Sequence, residues 1–203
     1  IPDGASIVKA CGWINAKSQP KERVAGWDMF SFEMERLERE SEKLKVKSEE
    51  SEMPYAKKRV MFMGSSNKVL DLIVKNAAVK YPNLEVLTYS PPFKPEFSEK
   101  DNAAIVKAIN DADPDLLWIG MTAPKQEKWT YTHWNELNIH CHVGTVGAVF
   151  DFFAGTYKRA PQWWQDHSLE WLYRLIKEPK RMWRRYVLGN PLFIYNIFKE
   201  KIM

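Results

Sequence analysis

The feature that most constrains this chain is the alternation, between Arg59 and Phe153, of short apolar runs with longer amphipathic stretches. Arg59-Val-Met-Phe-Met63 is apolar after its first residue, the pattern of a strand covered on both faces. Gly64-Ser65-Ser66-Asn67 reads as a turn carrying a helix N-cap, and Val69 to Val79 as a helix with Leu70, Ile73, Val74 and Ala77 on one face. The unit then repeats. Leu84 to Thr88 is a second strand, Ser98 caps a helix reaching about Asn110, and Asp115 to Ile119 is a third strand. Pro124 opens a helix through Leu137, and Ile139 to Val143 is a fourth strand, followed by Gly144, Gly147 and a short apolar helix. Strands alternating with helices predict an α/β fold with a Rossmann-like parallel sheet and flanking helices.

On either side of this body the pattern changes. Glu33 to Lys58 is almost all Glu, Lys, Arg and Ser and reads as a helix extension passing into a solvated linker, a surface insertion without chemistry. From Pro161 no strand signal remains; Ser168, Pro179 and Pro191 mark three successive helix starts. The expected organisation is an α/β domain over 1–160, with 33–58 as a charged insertion, and a helical appendage over 161–203.

Charge is distributed unevenly. Residues 158–203 hold ten Lys and Arg against four Asp and Glu, a local excess of six positive charges, so the rest of this +4 chain sums to −2. Trp163, Trp164, Trp171 and Trp183 are interleaved with those cations. Basic residues among aromatics suit an anionic surface with an apolar layer, as phospholipid presents. No apolar run approaches the roughly 20 residues of a spanning helix. Cys11 and Cys141 form no paired or metal-binding spacing, so a reducing, cytoplasmic compartment is expected. The chain opens on Ile1 with no basic-then-apolar leader and reads as starting inside a longer sequence.

In an open parallel sheet, ligands collect at the carboxyl ends of the strands. Three such ends here are glycine-bearing: Gly64-Ser-Ser66, Gly120-Met-Thr-Ala-Pro-Lys-Gln-Glu127 and Gly144-Thr-Val-Gly147. Small residues let the chain turn sharply and expose backbone N–H groups to phosphate. None forms the glycine fingerprint of NAD-binding folds or a Walker loop. Glu127 suits the dipole of its helix start, which accounts for it more fully than for Gln126. Asp151, in an apolar setting, reads equally as a structural ion pair with Lys158 or Arg159 and as a site residue. His140 and His142 share a strand face but lack a third ligand, so they read as core or pocket-wall residues.

Several of these segments occur together in a specific order. Pro124-Lys-Gln-Glu-Lys-Trp129, Gly144-Thr-Val-Gly-Ala-Val-Phe-Asp151, Ala154-Gly155, Lys158-Arg-Ala-Pro161, Leu169-Glu-Trp-Leu-Tyr-Arg-Leu175, and Glu178-Pro179 with Arg181 and Arg184-Arg-Tyr186 resemble the signature of the WecG/TagA/CpsF glycosyltransferase family. Pro2-Asp-Gly4 and Arg23-Val-Ala-Gly-Trp-Asp28 are similar to its earlier motifs. The resemblance implies inverting transfer with no cofactor and no required metal. The implied donor is a UDP-linked hexose, such as an N-acetylmannosamine derivative, and the implied acceptor a sugar on undecaprenyl diphosphate, in polysaccharide or teichoic acid synthesis. It implies Asp3 as general base and Arg174, Arg181 and Arg184 as further catalytic residues, carried by a basic appendage that packs against the active site at the membrane. Arg23, Gly64, Gly120, Gln126, Glu127, Gly147 and Asp151 are then the expected substrate-binding residues. The expected location is peripheral, on the inner face of the plasma membrane, with no nucleic acid partner; a homo-oligomer is compatible with this reading.

Two rivals belong to other classes. A nucleic-acid-binding module would also interleave cations with aromatics. A catalytically inactive membrane-surface protein would bind vesicles without releasing UDP.

Overall fold

The computed structural model describes residues 4–51, 55–167 and 169–202, without the side chains of 181, 185 and 202. The chain divides into two compact units, one made of Ile1–Ala25 with Lys158–Met203 and the other of Gly26–Tyr157. The first unit begins with helix α1 (Ala5–Trp13).

The second unit is the α/β body. It runs α2 (Gly26–Ser51), β1 (Lys58–Gly64), α3 (Asn67–Lys80), β2 (Leu84–Tyr89), α4 (Glu99–Ala112), β3 (Leu116–Gly120), α5 (Lys125–His133), a 3-10 turn (Trp134–Glu136), β4 (His142–Thr145) and α6 (Val149–Ala154). All strand pairs are parallel, in the order β2-β1-β3-β4. Alternation along the strands splits the core in two. Val60, Phe62, Leu116 and Trp118 face α2, α3 and α6, whereas Met61, Met63, Leu117 and Ile119 face α4 and α5. Covering both faces is what makes β1 and β3 continuous apolar runs.

Local chemistry sets the helix starts. Ser66 accepts from the Val69 N–H, and Ser98 with Asp101 completes a reciprocal capping box ahead of α4. Lys94 and Ser98 hold the Asp101 carboxyl well below the usual carboxylate range.

Helix α2 departs from expectation. The stretch expected to become a solvated linker is helical through Ser51, and its first turns are core: Phe30, Met34 and Leu37 are at most 1% exposed. The Phe30 ring lies 5.2 Å from Trp118 and 5.1 Å from Phe153 between centroids. Burying it contributes roughly 2–3 kcal/mol. Glu33 is buried too, and its carboxylate accepts from Arg36 Nε at 2.9 Å and faces His142 Nδ1 at 3.2 Å. Its charge is therefore compensated. His140 and His142 are both exposed, which removes the core alternative from their core-or-pocket-wall reading. Strand β4 also begins three residues later than expected, because Ile139 and Cys141 pack against the second core cluster while ladder pairing starts at Leu116 with His142.

The first unit contains α1, α7 (Gln162–Asp166), α8 (Glu170–Lys177), α9 (Pro179–Trp183), a π-helical turn (Arg184–Leu188) and α10 (Gly189–Ile202). Trp13 of α1 meets Phe198 of α10 edge-on at 4.4 Å, with Lys201 above the Trp13 ring. Ser168, the expected cap, lies outside the described residues. Glu178 leaves helical geometry at φ −131°, ψ 62°, so Arg174 lies on a helical segment separate from the one that starts at Pro179, as expected. Pro191 falls inside α10 and does not start it; the widened π turn precedes the point where proline cannot donate to the carbonyl four residues back.

Candidate active site

The site of the α/β body is set by topology. From β1 the chain passes through α3 to β2 on one side, and from β3 it passes through α5 to β4 on the other, so the carboxyl ends of β1 and β3 form a switch point. Gly64 and Gly120 are paired there. Gly64 has φ +124°, and a Cβ on it would stand 2.3 Å from the Gly120 carbonyl oxygen. Ser65, at φ +57°, donates its N–H to that oxygen at 3.0 Å. A Cβ on Gly120 would in turn strike the Phe150 ring at 2.5 Å. The crevice floor is thus two backbones in contact, with α6 packed behind.

Gln126 organises the next layer. It is 4% exposed, its Oε1 accepts from the Met121 N–H at 3.1 Å, and its Nε2 donates to Glu127 Oε1 at 2.8 Å. The buried amide therefore aims the exposed Glu127 carboxylate while closing the turn after β3. Gly147, at φ +48°, lies where a Cβ would be 3.7 Å from Gln126 Oε1. Gly64, Gly120, Gln126, Glu127 and Gly147 accordingly gather at one sheet edge, as the sequence suggested.

Asp151 does not face that edge in the same way. Its Oδ1 accepts from the Thr156 hydroxyl at 3.2 Å and its carbonyl accepts from the Thr156 and Tyr157 N–H groups, which closes the turn after α6. Lys125, which the motif contained but the site assignment omitted, braces the rim. Its ammonium donates to the Lys94 carbonyl at 2.5 Å and lies 3.4 Å from the Phe97 ring centroid. Burial pushes its pKa below the usual lysine range, against the pull of Asp101.

An open groove at the opposite, amino edge is lined by Leu44, Tyr55, Lys58 and Asp115 among others. Of its cations, Lys58 pairs with Asp115 at 2.6 Å, Arg59 pairs with Asp113 at 2.7 Å, and Lys57 donates to the Pro82 carbonyl at 2.7 Å. Among the described residues, no group of three His, Cys, Asp or Glu gathers to hold a metal ion.

The other unit carries its own charged cluster. Glu170, 9% exposed in the first turn of α8, accepts from Arg174 Nη2 at 2.6 Å and Arg23 Nη1 at 3.4 Å, and Arg159 Nη2 stands 3.8 Å away. Arg23 and Arg174 are thereby brought together, while the exposed Arg184 stacks near Trp183. Asp3 and the Arg181 side chain lie outside the described residues. No helix among the described residues is long and apolar enough to cross a membrane.

The fold defines an α/β protein whose glycine-bearing strand ends meet at a topological switch point, the place where open parallel sheets bind ligands. The particular family follows from comparison with known proteins: residues 1–203 match the model of the glycosyl transferase WecG/TagA/CpsF family, and the chain belongs to that family. It is a glycosyltransferase. It is 30% identical over 201 residues to an N-acetylglucosaminyldiphosphoundecaprenol N-acetyl-beta-D-mannosaminyltransferase of Bacillus subtilis (strain 168), covering 99% of this chain and 68% of that protein. A protein of the same name from Bacillus spizizenii is 27% identical over the same shares. One from Staphylococcus aureus (strain MW2) is 32% identical over 143 residues, covering 70% of this chain and 53% of that protein.

Proposed function

We propose that the enzyme transfers an N-acetylmannosamine-type hexose from its UDP derivative to an N-acetylglucosamine on undecaprenyl diphosphate, with inversion and without a metal ion, at the inner face of the plasma membrane. The convergence of Gly64, Gly120, Gln126, Glu127 and Gly147 at the switch point supports this reading, and the names of the relatives supply donor sugar and acceptor. The UDP-sugar takes the carboxyl edge of the sheet. Asp3 removes the proton of the acceptor hydroxyl, whose oxygen bonds to the anomeric carbon as the bond to UDP breaks and UDP departs with the electron pair. Guanidinium groups stabilise the added negative charge on the diphosphate in place of a metal. Titrating UDP while recording amide shifts is expected to perturb Gly64, Gly120, Met121 and Gly147. Shifts confined to residues 158–203 would refute this placement.

The helical unit fits a membrane surface. Trp163, Trp183, Leu192 and Tyr195 are exposed beside its net positive charge, a combination that suits anionic phospholipid. A Lys or Arg near such a surface contributes about 1 kcal/mol. Arg181→Ala combined with Arg184→Ala is therefore expected to weaken vesicle partitioning roughly 30-fold, at about 1.4 kcal/mol per tenfold, and to slow transfer to a lipid acceptor while leaving UDP affinity intact. Flotation with phosphatidylglycerol vesicles measures the first effect. Unchanged flotation and activity, both in that variant and after deletion from Ser168 onward, would make the unit purely structural.

A further inference from the structure

We propose that Lys125 is a positioning residue for the donor nucleotide: it pins the loop between β2 and α4 beside the carboxyl end of β1, and so sets one wall of the crevice that takes UDP. The inference rests on the transfer reading above and deepens it. Sheet order gives the loop its place. Because β1 lies between β2 and β3, and α4 and α5 cover the same face, a loop leaving β2 meets the start of α5 only by passing beside the end of β1. It is fastened on both sides of that strand end. The Ser90 hydroxyl donates to the Ser65 carbonyl at 2.8 Å, and Ser65 in turn donates its N–H to Gly120 on the crevice floor. Further along the loop, the Lys94 carbonyl accepts from the Lys125 ammonium, which also lies over the Phe97 ring.

Lys125 holds this place at a cost. It is the first residue of α5, where the helix dipole disfavours a cation. Burial works against its charge, and Asp101 offsets that only in part. Among the described residues its ammonium pairs with no carboxylate, because Asp101 is bonded to Lys94 and to the Ser98 cap instead. What it receives is a carbonyl oxygen and an aromatic face, and both belong to the loop. A methionine would cover Phe97 without these costs, so the charge and the donor serve the loop. The Lys94–Asp101 pair ties the same loop to the start of α4, and the Trp129 indole, donating to Asn102 at 2.9 Å, ties α4 to α5. Lys125 closes this ring of contacts. One residue further on, Gln126 closes the turn after β3 and aims Glu127, so a single helix start sets both the wall and the polar edge of the crevice.

A wall touches the donor in its ground state and its transition state alike, so its loss is read in binding rather than in turnover. For Lys125→Met, which keeps the length of the side chain but neither charge nor donors, we expect the UDP dissociation constant and the donor KM to rise about tenfold, with kcat within about threefold of the parent. Amide exchange over 91–97 is expected to speed up. Lys125→Arg, which still reaches a carbonyl and an aromatic face, is expected to recover most of the affinity. Phe97→Leu separates bracing from simple attraction of an anion. It keeps every charge, removes only the ring beneath the ammonium, and is expected to weaken UDP binding severalfold. Calorimetric titration with UDP, kinetics with UDP-N-acetylmannosamine and a short-chain prenyl diphosphate bearing N-acetylglucosamine, and hydrogen exchange read these effects. A Lys125→Met enzyme that binds UDP like the parent overturns the inference. A Phe97→Leu enzyme that does so overturns it too, and that result stands even where Lys125→Met does not fold. If the parent enzyme itself binds no UDP, the transfer reading fails as well, which separates the two cases.

Discussion

Replacing Asp3 by Asn is expected to lower kcat by roughly 10²–10⁴-fold, the span that general-base catalysis supplies, with UDP affinity within about threefold of the parent. Asparagine keeps the shape and hydrogen-bonding reach of aspartate but cannot take up a proton, so only the step that deprotonates the acceptor hydroxyl is lost. Single-turnover transfer and UDP titration on the same preparation separate the two quantities. Activity within a few-fold of the parent would remove Asp3 from the mechanism. Asp151 would not be the natural successor, because its carboxylate already serves the turn at Thr156. Glu127 would be, since it is exposed at the sheet edge and aimed by the buried Gln126 amide.

The second large effect is expected at Gly64. Its φ of +124° is closed to side-chain-bearing residues at a cost of about 1–3 kcal/mol. A Cβ would also lie 2.3 Å from the Gly120 oxygen and 2.6 Å from its carbon, backbone atoms that cannot rotate aside. Gly64→Ala is therefore expected to destabilise the fold by about 3 kcal/mol or more and to abolish UDP binding by parting β1 from β3 at the crevice floor. Gly155→Ala is the matched control, with φ +75° and no atom within 4 Å of the added carbon, so only the left-handed strain of about 1–2 kcal/mol applies. Urea midpoints of the two variants decide the matter. Equal losses would mean that the Gly64–Gly120 approach is not what shapes the edge.

Much of the α/β body is legible in the sequence because its central strands are buried on both faces. Val60 to Met63 and Leu116 to Ile119 had to be apolar throughout, and their limits fall within a residue or so of the observed strands. Edge strand β4 is less legible: pairing with β3 alone, it is short, and Ile139 and Cys141 mark burial rather than a ladder. Helix α2 hides its core contacts among charges. Phe30, Met34 and Leu37 recur at helical spacing, a signal that the surrounding Glu, Lys and Arg obscure.

The site divides along the same line. Glycines at strand ends announce the switch point because sharp turns and close backbone approach restrict which residues fit, and Gln126 stood out because a helix dipole gives no reason for an amide. The meeting of Arg23, Arg159 and Arg174 at Glu170 has no local signature, since it joins segments far apart in the chain. The four-residue spacing of Glu170 and Arg174 was the one visible trace of it.

The most direct test of the central claim is UDP release from UDP-N-acetylmannosamine, with and without a short-chain prenyl diphosphate bearing N-acetylglucosamine, in buffer containing EDTA. The account predicts release that depends on the acceptor, persists in the chelator and yields one disaccharide-lipid product of inverted anomeric configuration. No release with the acceptor present, or release at the same rate without it, would contradict transfer to a lipid-linked sugar.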